Sequence, residues 1–382
     1  MIHIGKPYID QVEGHIRLCA QMTIQGKPET AWFSVDPEYA EYLTDDRVDA
    51  FVVGFLTTAM RLGTDIVCDA PMTRRLKYQL EQYLIPAMAA NMEIYHSIAI
   101  RAPVTDEVLP CAGAVGTGWT GGADCMYTFM EHLNCPGYQV THLLITNNGA
   151  LESDDNRVLL QYMVERARTG IAKDYGLSVI GIDSNLHELQ DENYLSVSGF
   201  RLPAVVLAVQ KLFRVFFNSA TYEFSKFAFV PENSGYYELL LMQCFETDCT
   251  AFYSSGGETS RIFKLQALGD FPPAQKYLHP CIHVEGDNCG MCGKCIRTQA
   301  ALYALGRLEE FREVFDVDAF EQNKEDILAQ VLAKRESQHY GEVLYVMKQK
   351  GMELSPAVQR KARIIRAAET VAKRKWNPKE EA

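Results

Sequence analysis

Apolar and polar residues alternate through His15–Ile24 and again through Thr30–Val35. Period two marks half-buried strands, and the Gly26-Lys27-Pro28 turn between them predicts a hairpin. Asp49 to Leu62 is apolar enough for a buried helix, and Asp65–Cys68 reads as a short strand. From Met72 to Asn91, Leu76, Leu80, Leu84 and Met88 recur on one side, the spacing of a helix. His96–Arg101 reads as a strand. Residues 1–105 are therefore expected to form an N-terminal α/β module.

The next stretch alternates strand and helix. Strands are expected at Val108–Val115, Thr141–Thr146, Leu177–Asp183 and Val215–Asn218. Helices are expected at Asp124–Leu133, at Asp155–Tyr175 with Gly176 closing it, and at Pro203–Leu212. Such alternation predicts an open, mainly parallel twisted sheet with helices on both faces, an α/β fold. This second domain is placed at residues 106–300. A helical C-terminal region, 301–382, follows, with helices at Ala300–Gly306, Ala319–Leu332 and Pro356–Lys375.

Composition narrows the class. Of 382 residues, 47% are hydrophobic and 10% aromatic, values of a folded chain large enough for more than one domain. The longest apolar run, Tyr236–Phe245, is too short to span a bilayer. The N-terminus lacks a basic region followed by an apolar one, so no export signal is expected and the location is read as cytoplasmic. The net charge of −12 argues against a general nucleic-acid binder. With eleven cysteines, an odd number, a metal site plus buried or reactive thiols is expected rather than a disulfide framework.

Two motifs carry chemistry. Gly116-Thr-Gly118-Trp-Thr-Gly121 matches a dinucleotide-binding fingerprint, but the following strand ends in Thr146-Asn147-Asn148, where that motif needs an acid. No Gly-Lys-Ser/Thr follows the glycines, which excludes a Walker A loop. Shifted by a few residues, Thr120-Gly121-Gly122-Ala123-Asp124-Cys125 leads from a strand into a helix. There backbone N–H groups and the helix dipole attract an anion, and Asp124 can reach a Mg²⁺. This segment resembles the Ser-Gly-Gly-x-Asp-Ser signature of the PP-loop (N-type) ATP pyrophosphatases. Thr120 stands for the first serine and keeps its hydroxyl; Cys125 stands for the last and donates weakly. A degenerate loop, or a plain strand-turn-helix corner, are the competing readings.

The second motif is Cys281-x7-Cys289-x2-Cys292-x2-Cys295, followed by Ile296-Arg297. Four thiolates suit a tetrahedral Zn²⁺, and four protein ligands leave no open position, so the metal is expected to be structural. His279 or His283 replacing one cysteine, and an iron–sulfur cluster, are further possibilities. The glycine turn and this knuckle together, over residues 108–300, resemble the 7-cyano-7-deazaguanine synthase family.

That resemblance implies ATP and Mg²⁺ as cofactors beside structural Zn²⁺. It implies that Thr120–Cys125, Asn147, Asn148 and Asp183 border the nucleotide. It also implies catalytic roles for Asp124, Arg261 and Lys264; a solvated helix face is the alternative for the last two. The implied reaction is adenylation of a carboxylate or carbonyl oxygen of a small molecule, with loss of pyrophosphate and attack by ammonia. Sulfur transfer, which would need one of Cys111, Cys125, Cys135, Cys244 or Cys249, is an alternative. A non-catalytic nucleotide- or partner-binding protein is another. From Arg360 to Lys379 there are eight Lys/Arg and one acid, Glu369. This permits tRNA as a partner, although Val358, Ile365 and Val371 favour a helix lying on the protein. No membrane contact is expected, and a homo-oligomer is left open.

Overall fold

A computed structural model describes residues 1–150, 156–283 and 285–375. The chain divides into two compact units, both assembled from separate stretches. Met1–Thr120 with Thr128–Thr259 makes the first; Gly121–Tyr127 with Ser260–Ala382 makes the second.

The first unit is α/β, built on one mixed, mainly parallel sheet flanked by helices. From one edge its strands run Ala251–Ser255, Phe213–Ser219, Ala114–Gly118, His142–Asn147, Ser178–Ser184, Lys27–Val35, His15–Ile24, Ile2–Ile4, Ile66–Cys68 and Ile100–Arg101. Tyr8–Val12 pairs with His15–Ile24 off this path. The first five strands are parallel neighbours. Lys27–Val35 then joins Ser178–Ser184 antiparallel, so the N-terminal hundred residues extend the same sheet.

The hairpin turn lies one residue earlier than its sequence suggests. Ile24 pairs with Lys27, leaving Gln25 (φ 53°) and Gly26 (φ 82°) as the two-residue loop. Both angles are left-handed, as a hairpin that follows the strand twist requires. Helix Asp49–Leu62 is buried along most of its length and ends at Gly63 in the left-handed conformation. It lies against Tyr194–Ala208, closely enough that a Cβ on Gly54 would sit 3.5 Å from that of Ala204.

The helix expected to begin at Pro203 begins at Tyr194. Asn193 caps it by accepting the Leu195 N–H at 3.0 Å, and Pro203 sits inside it, at the cost of one helical hydrogen bond. Met72–Asn91 is helical from Arg74, with a π turn at Leu80–Leu84. The strand expected at Val108–Val115 starts only at Ala114. The helix expected from Asp155 runs through Asn156–Ala167 and on to Tyr175; its first expected residue lies outside the described segments.

The second unit is helical: Arg261–Gly269, Pro272–Tyr277, Gly293–Leu305, Val317–Ala333, Gln338–Gln349 and Pro356–Lys375. The last packs on Val317–Ala333 through Val358 and Ala362, both buried. Part of its basic face is neutralised there, by Lys361–Asp326 (2.6 Å) and Arg366–Glu336 (3.4 Å). Ile365 is half-buried, whereas the Val371 side chain and Lys379 lie outside what is described. No helix among the described residues is long and apolar enough to cross a membrane.

Candidate functional site

The glycine turn opens the helix Ala123–His132. Gly121 adopts φ 78°, a conformation that costs an L side chain energy. Its carbonyl accepts the His279 N–H at 2.7 Å, and an added Cβ would come within 3.1 Å of His279. This ties the turn to the chain entering the cysteine knuckle, two residues before Cys281.

Asp124 stands in the first turn of that helix, where a carboxylate suits the dipole. Arg261 Nη1 lies 2.9 Å from its Oδ2 and Lys264 Nζ 3.5 Å from its Oδ1. Both cations sit in the first turn of Arg261–Gly269, three residues apart and thus on one face. Burial raises the Asp124 carboxyl, but the field of Arg261, Lys264, His339 and Arg297 outweighs it and holds the group below the usual carboxylate range. The Lys264 side chain is 1% exposed, which rules out a solvated face for that residue.

Three further residues join them, among them Arg297, which follows the cysteines in the sequence and is expected from that place to face the substrate or cap the knuckle. Lys294, between Cys292 and Cys295, and Arg297, just past the last cysteine, come from the first turns of Gly293–Leu305. Burial, with Arg297 and Arg261 nearby, holds the Lys294 ammonium below the usual lysine range. His339, on Gln338–Gln349, is pushed down to about 3 by burial and by Arg261 and Arg297. Arg261, Arg297, His339 and Glu342 line a cavity of about 10 Å³, room for a single water. Arg261 Nε and Ser260 Oγ are buried without a hydrogen-bond partner among the described residues.

Among the described residues four cations (Arg261, Lys264, Lys294, Arg297) lie with two carboxylates (Asp124, Glu342), and the helix N-termini carrying Asp124, Arg261 and Lys294 add positive potential. Such a set of cations around the buried Lys264 is chemically suited to a polyanion.

The four cysteine sulfurs lie within 4.8 Å of one another, and Cys281 Sγ is 4.0 Å from Cys292 Sγ. Zn–S bonds of about 2.3 Å in a tetrahedron set sulfurs about 3.8 Å apart, so a modest contraction closes the site on one ion. The group can therefore hold a metal ion such as zinc. The loop is prepared for it: Asn288 holds Leu278 O and Val314 O at 2.9 and 2.8 Å and accepts the Cys281 N–H at 3.3 Å. Gln299 Nε2 holds Gly290 O at 2.8 Å. Cys292 caps the following helix, its sulfur accepting the Cys295 N–H. Burial alone would raise the Cys292 thiol, but backbone N–H groups of Ile282 and Cys295 bring it down to about 7. The metal-ligand group found among the described residues comprises these four sulfurs, without His279 or His283; His279 Nε2 instead meets Gly286 O at 3.1 Å.

Of the remaining expected nucleotide residues, Thr120, Asn147, Asn148 and Asp183 belong to the first unit. Thr120 is exposed; Gly122, Ala123 and Cys125 follow Gly121 in the second unit, where the Cys125 thiol donates to Gly122 O at 3.2 Å. Asn147 and Asp183 end adjacent parallel strands and pair, Asn147 Nδ2 to Asp183 Oδ1 at 2.8 Å. Asp183 also meets Arg157 at 3.0 Å. The buried Arg201 holds the Asn148 carbonyl at 3.2 Å and Gln190 Oε1 at 2.8 Å. Asn147 Oδ1, Asn148 Oδ1, His187 Nδ1 and Arg201 Nη2 have no hydrogen-bond partner among the described residues. These atoms gather at the carboxyl ends of the strands, where open α/β sheets take ligands.

No protein-family model, no curated protein and no solved structure matches this chain.

Proposed function

We propose that the protein is an ATP-dependent adenylating enzyme of the PP-loop kind. The observation that carries this reading is the Gly121–Asp124 turn set among Arg261, Lys264, Lys294 and Arg297 in the second unit. A helix N-terminus with four cations fits a triphosphate and a departing pyrophosphate.

In the proposed reaction a substrate carboxylate or carbonyl oxygen bonds to the α-phosphorus of ATP. The bond to the β-bridging oxygen breaks, and pyrophosphate leaves. Ammonia then displaces AMP to give an amide; for a nitrile product a second ATP adenylates the amide oxygen, releasing pyrophosphate, and that oxygen leaves with AMP. Lys264 and Arg261 neutralise the charge that grows on the leaving group; Lys294 and Arg297 extend that field. Asp124 keeps Arg261 and Lys264 in register before ATP arrives, and would turn to a Mg²⁺ when one accompanies the nucleotide. Zinc, when bound by Cys281, Cys289, Cys292 and Cys295, would fix the start of the helix that carries Lys294 and Arg297. Sulfide in place of ammonia would give the sulfur-transfer variant of the same chemistry.

A second reading has its own support. Both Asp124 oxygens face cations, and the Cys125 thiol is turned to its own helix, which suits a protein that binds a nucleotide without cleaving it. Incubation of the zinc-loaded chain with ATP, Mg²⁺, carboxylate substrates and ammonium, with AMP and pyrophosphate measured, separates the two. AMP formed by the wild type and lost in Lys264→Ala supports adenylation. ATP binding without AMP across those substrates, with ammonium or hydrosulfide, overturns it.

A further inference from the structure

A second cavity lies wholly in the first unit, between the helix Asn156–Ala167 and the face of three adjacent strands. Its volume is about 410 Å³, within the range of small-molecule sites. The strand register explains its floor. Arg17 pairs with Ser34 and Ser34 with Asp183, so the three side chains form one row across the sheet. Two residues along, on the same face, come His15, Asp36 and Gly181. Gly181 lets the helix approach, since a Cβ there would lie 2.8 Å from Val164 Cγ2. Val12, Leu160 and Val164 add an apolar wall.

Most charges in the wall are matched within it. Arg157 meets Asp183 at 3.0 Å, Arg168 meets Asp36 at 3.3 Å, and His15 meets Asp36 at 3.3 Å. Three charges remain without an ion pair among the described residues: Arg17, Glu13 and Glu165. Arg17 decides the matter. Its guanidinium is stacked 4.1 Å above the Trp32 ring, and its Nε is buried without a hydrogen-bond partner. A stacked guanidinium with a buried, unused Nε–H is costly, and a ligand carboxylate is the partner that suits it. The two glutamates line the same cavity and disfavour a simple anion there.

We infer that this cleft binds a small zwitterion of the α-amino acid class. The ligand carboxylate meets Arg17, its ammonium group meets Glu13 or Glu165, and its side chain lies on Val12, Leu160 and Val164. The inference stands on the cleft alone and does not rest on the adenylation reading.

The test is calorimetric titration of the full chain with each common amino acid in turn, with Trp fluorescence as a second signal from Trp32. For the amino acid that binds best, the analogue lacking the amine and the analogue lacking the carboxylate follow. Saturable binding is expected, weakened at least tenfold in both analogues and in Arg17→Ala. Because that variant also unstacks Trp32, Gln161→Trp provides a second: it fills the cleft from an exposed helix position and is expected to block binding while the melting temperature holds. Binding of none, equal binding of the amine-free analogue, or affinity unaffected by both cleft variants would overturn the inference.

Discussion

Replacing His339 with glutamine should remove a specific part of the protein's acid sensitivity. The imidazole is held at about 3, because burial and the charges of Arg261 and Arg297 oppose its proton and Asp124 compensates only in part. An unfolded histidine titrates near 6.5. As pH falls, the unfolded chain takes up this proton first, so protonation draws the protein toward unfolding. The stability due to a neutral His339 is therefore complete above about pH 6.5 and is lost progressively toward about pH 3. The cost, RT ln(1 + 10^(6.5 − pH)), grows from about 0.2 kcal/mol at pH 7 to about 2.1 kcal/mol at pH 5, a loss of about 2 kcal/mol. Urea unfolding followed by far-ultraviolet circular dichroism, at pH 7 and pH 5, measures it for wild type and His339→Gln. His132, His142 and His187 are also held low by burial, but they are common to both proteins and cancel in the comparison. The wild type should lose about 2 kcal/mol more than the variant between the two pH values. Equal losses would refute the reasoning, because His339 would then not be shielded by the cations around it. Pyrophosphate offers a further check: an anion among Arg261, Lys264, Lys294 and Arg297 should ease protonation of His339 and shrink the difference.

Three further outcomes follow from the same geometry. Asp124→Asn leaves Arg261 and Lys264 without their shared carboxylate and should cost about 3 kcal/mol in denaturant unfolding, partly restored by pyrophosphate. Cys289→Ser should abolish stoichiometric zinc in elemental analysis and lower the melting temperature by several degrees, as chelation should for the wild type; unchanged metal content would remove the knuckle as its site. Gly116→Ala places a Cβ 2.4 Å from Phe213 Cε1 in mid-sheet and should destabilise by about 1–3 kcal/mol, whereas an unchanged unfolding midpoint would show that Phe213 and Phe216 yield freely.

Much of the frame is legible in local pattern. Asp49–Leu62 announces itself by an unbroken apolar surface, and the strands at His142, Ser178 and Phe213 by short apolar runs between turns. The knuckle is legible because metal ligation fixes spacing. What local pattern does not carry is pairing between distant segments. Nothing near Lys27–Val35 says that its neighbour is Ser178–Ser184, so the N-terminal residues read as a separate module. Pro203 reads as a helix start because proline suits a first turn, yet Asn193, ten residues upstream, caps a helix that begins at Tyr194. Gln338–Gln349 has Tyr340, Val343, Val346 and Met347 buried, but it is short and polar elsewhere and gains its order by packing on Gly293–Leu305. For the same reason His339 carries no sequence signal, while Lys294 and Arg297 carry one only through their place beside the cysteines. The pairing of Asp124 with Arg261 and Lys264 is reachable from motif order, but its burial is not.

The discontinuity of the second unit has a consequence for biosynthesis. Its segment from outside the C-terminal stretch is Gly121–Tyr127, and that segment holds the carboxylate that pairs with Arg261 and Lys264. During translation this piece leaves the ribosome long before its cationic partners exist, and it must wait, solvated, for the rest of the chain. A fragment that begins at Ser260 would carry all four cysteines and every cation of the cluster, yet would lack Asp124. Such a piece could load zinc and still repel itself at the place where its helices begin, so the second unit is a product of the whole chain and not a cassette that gene fusion or proteolysis could release intact.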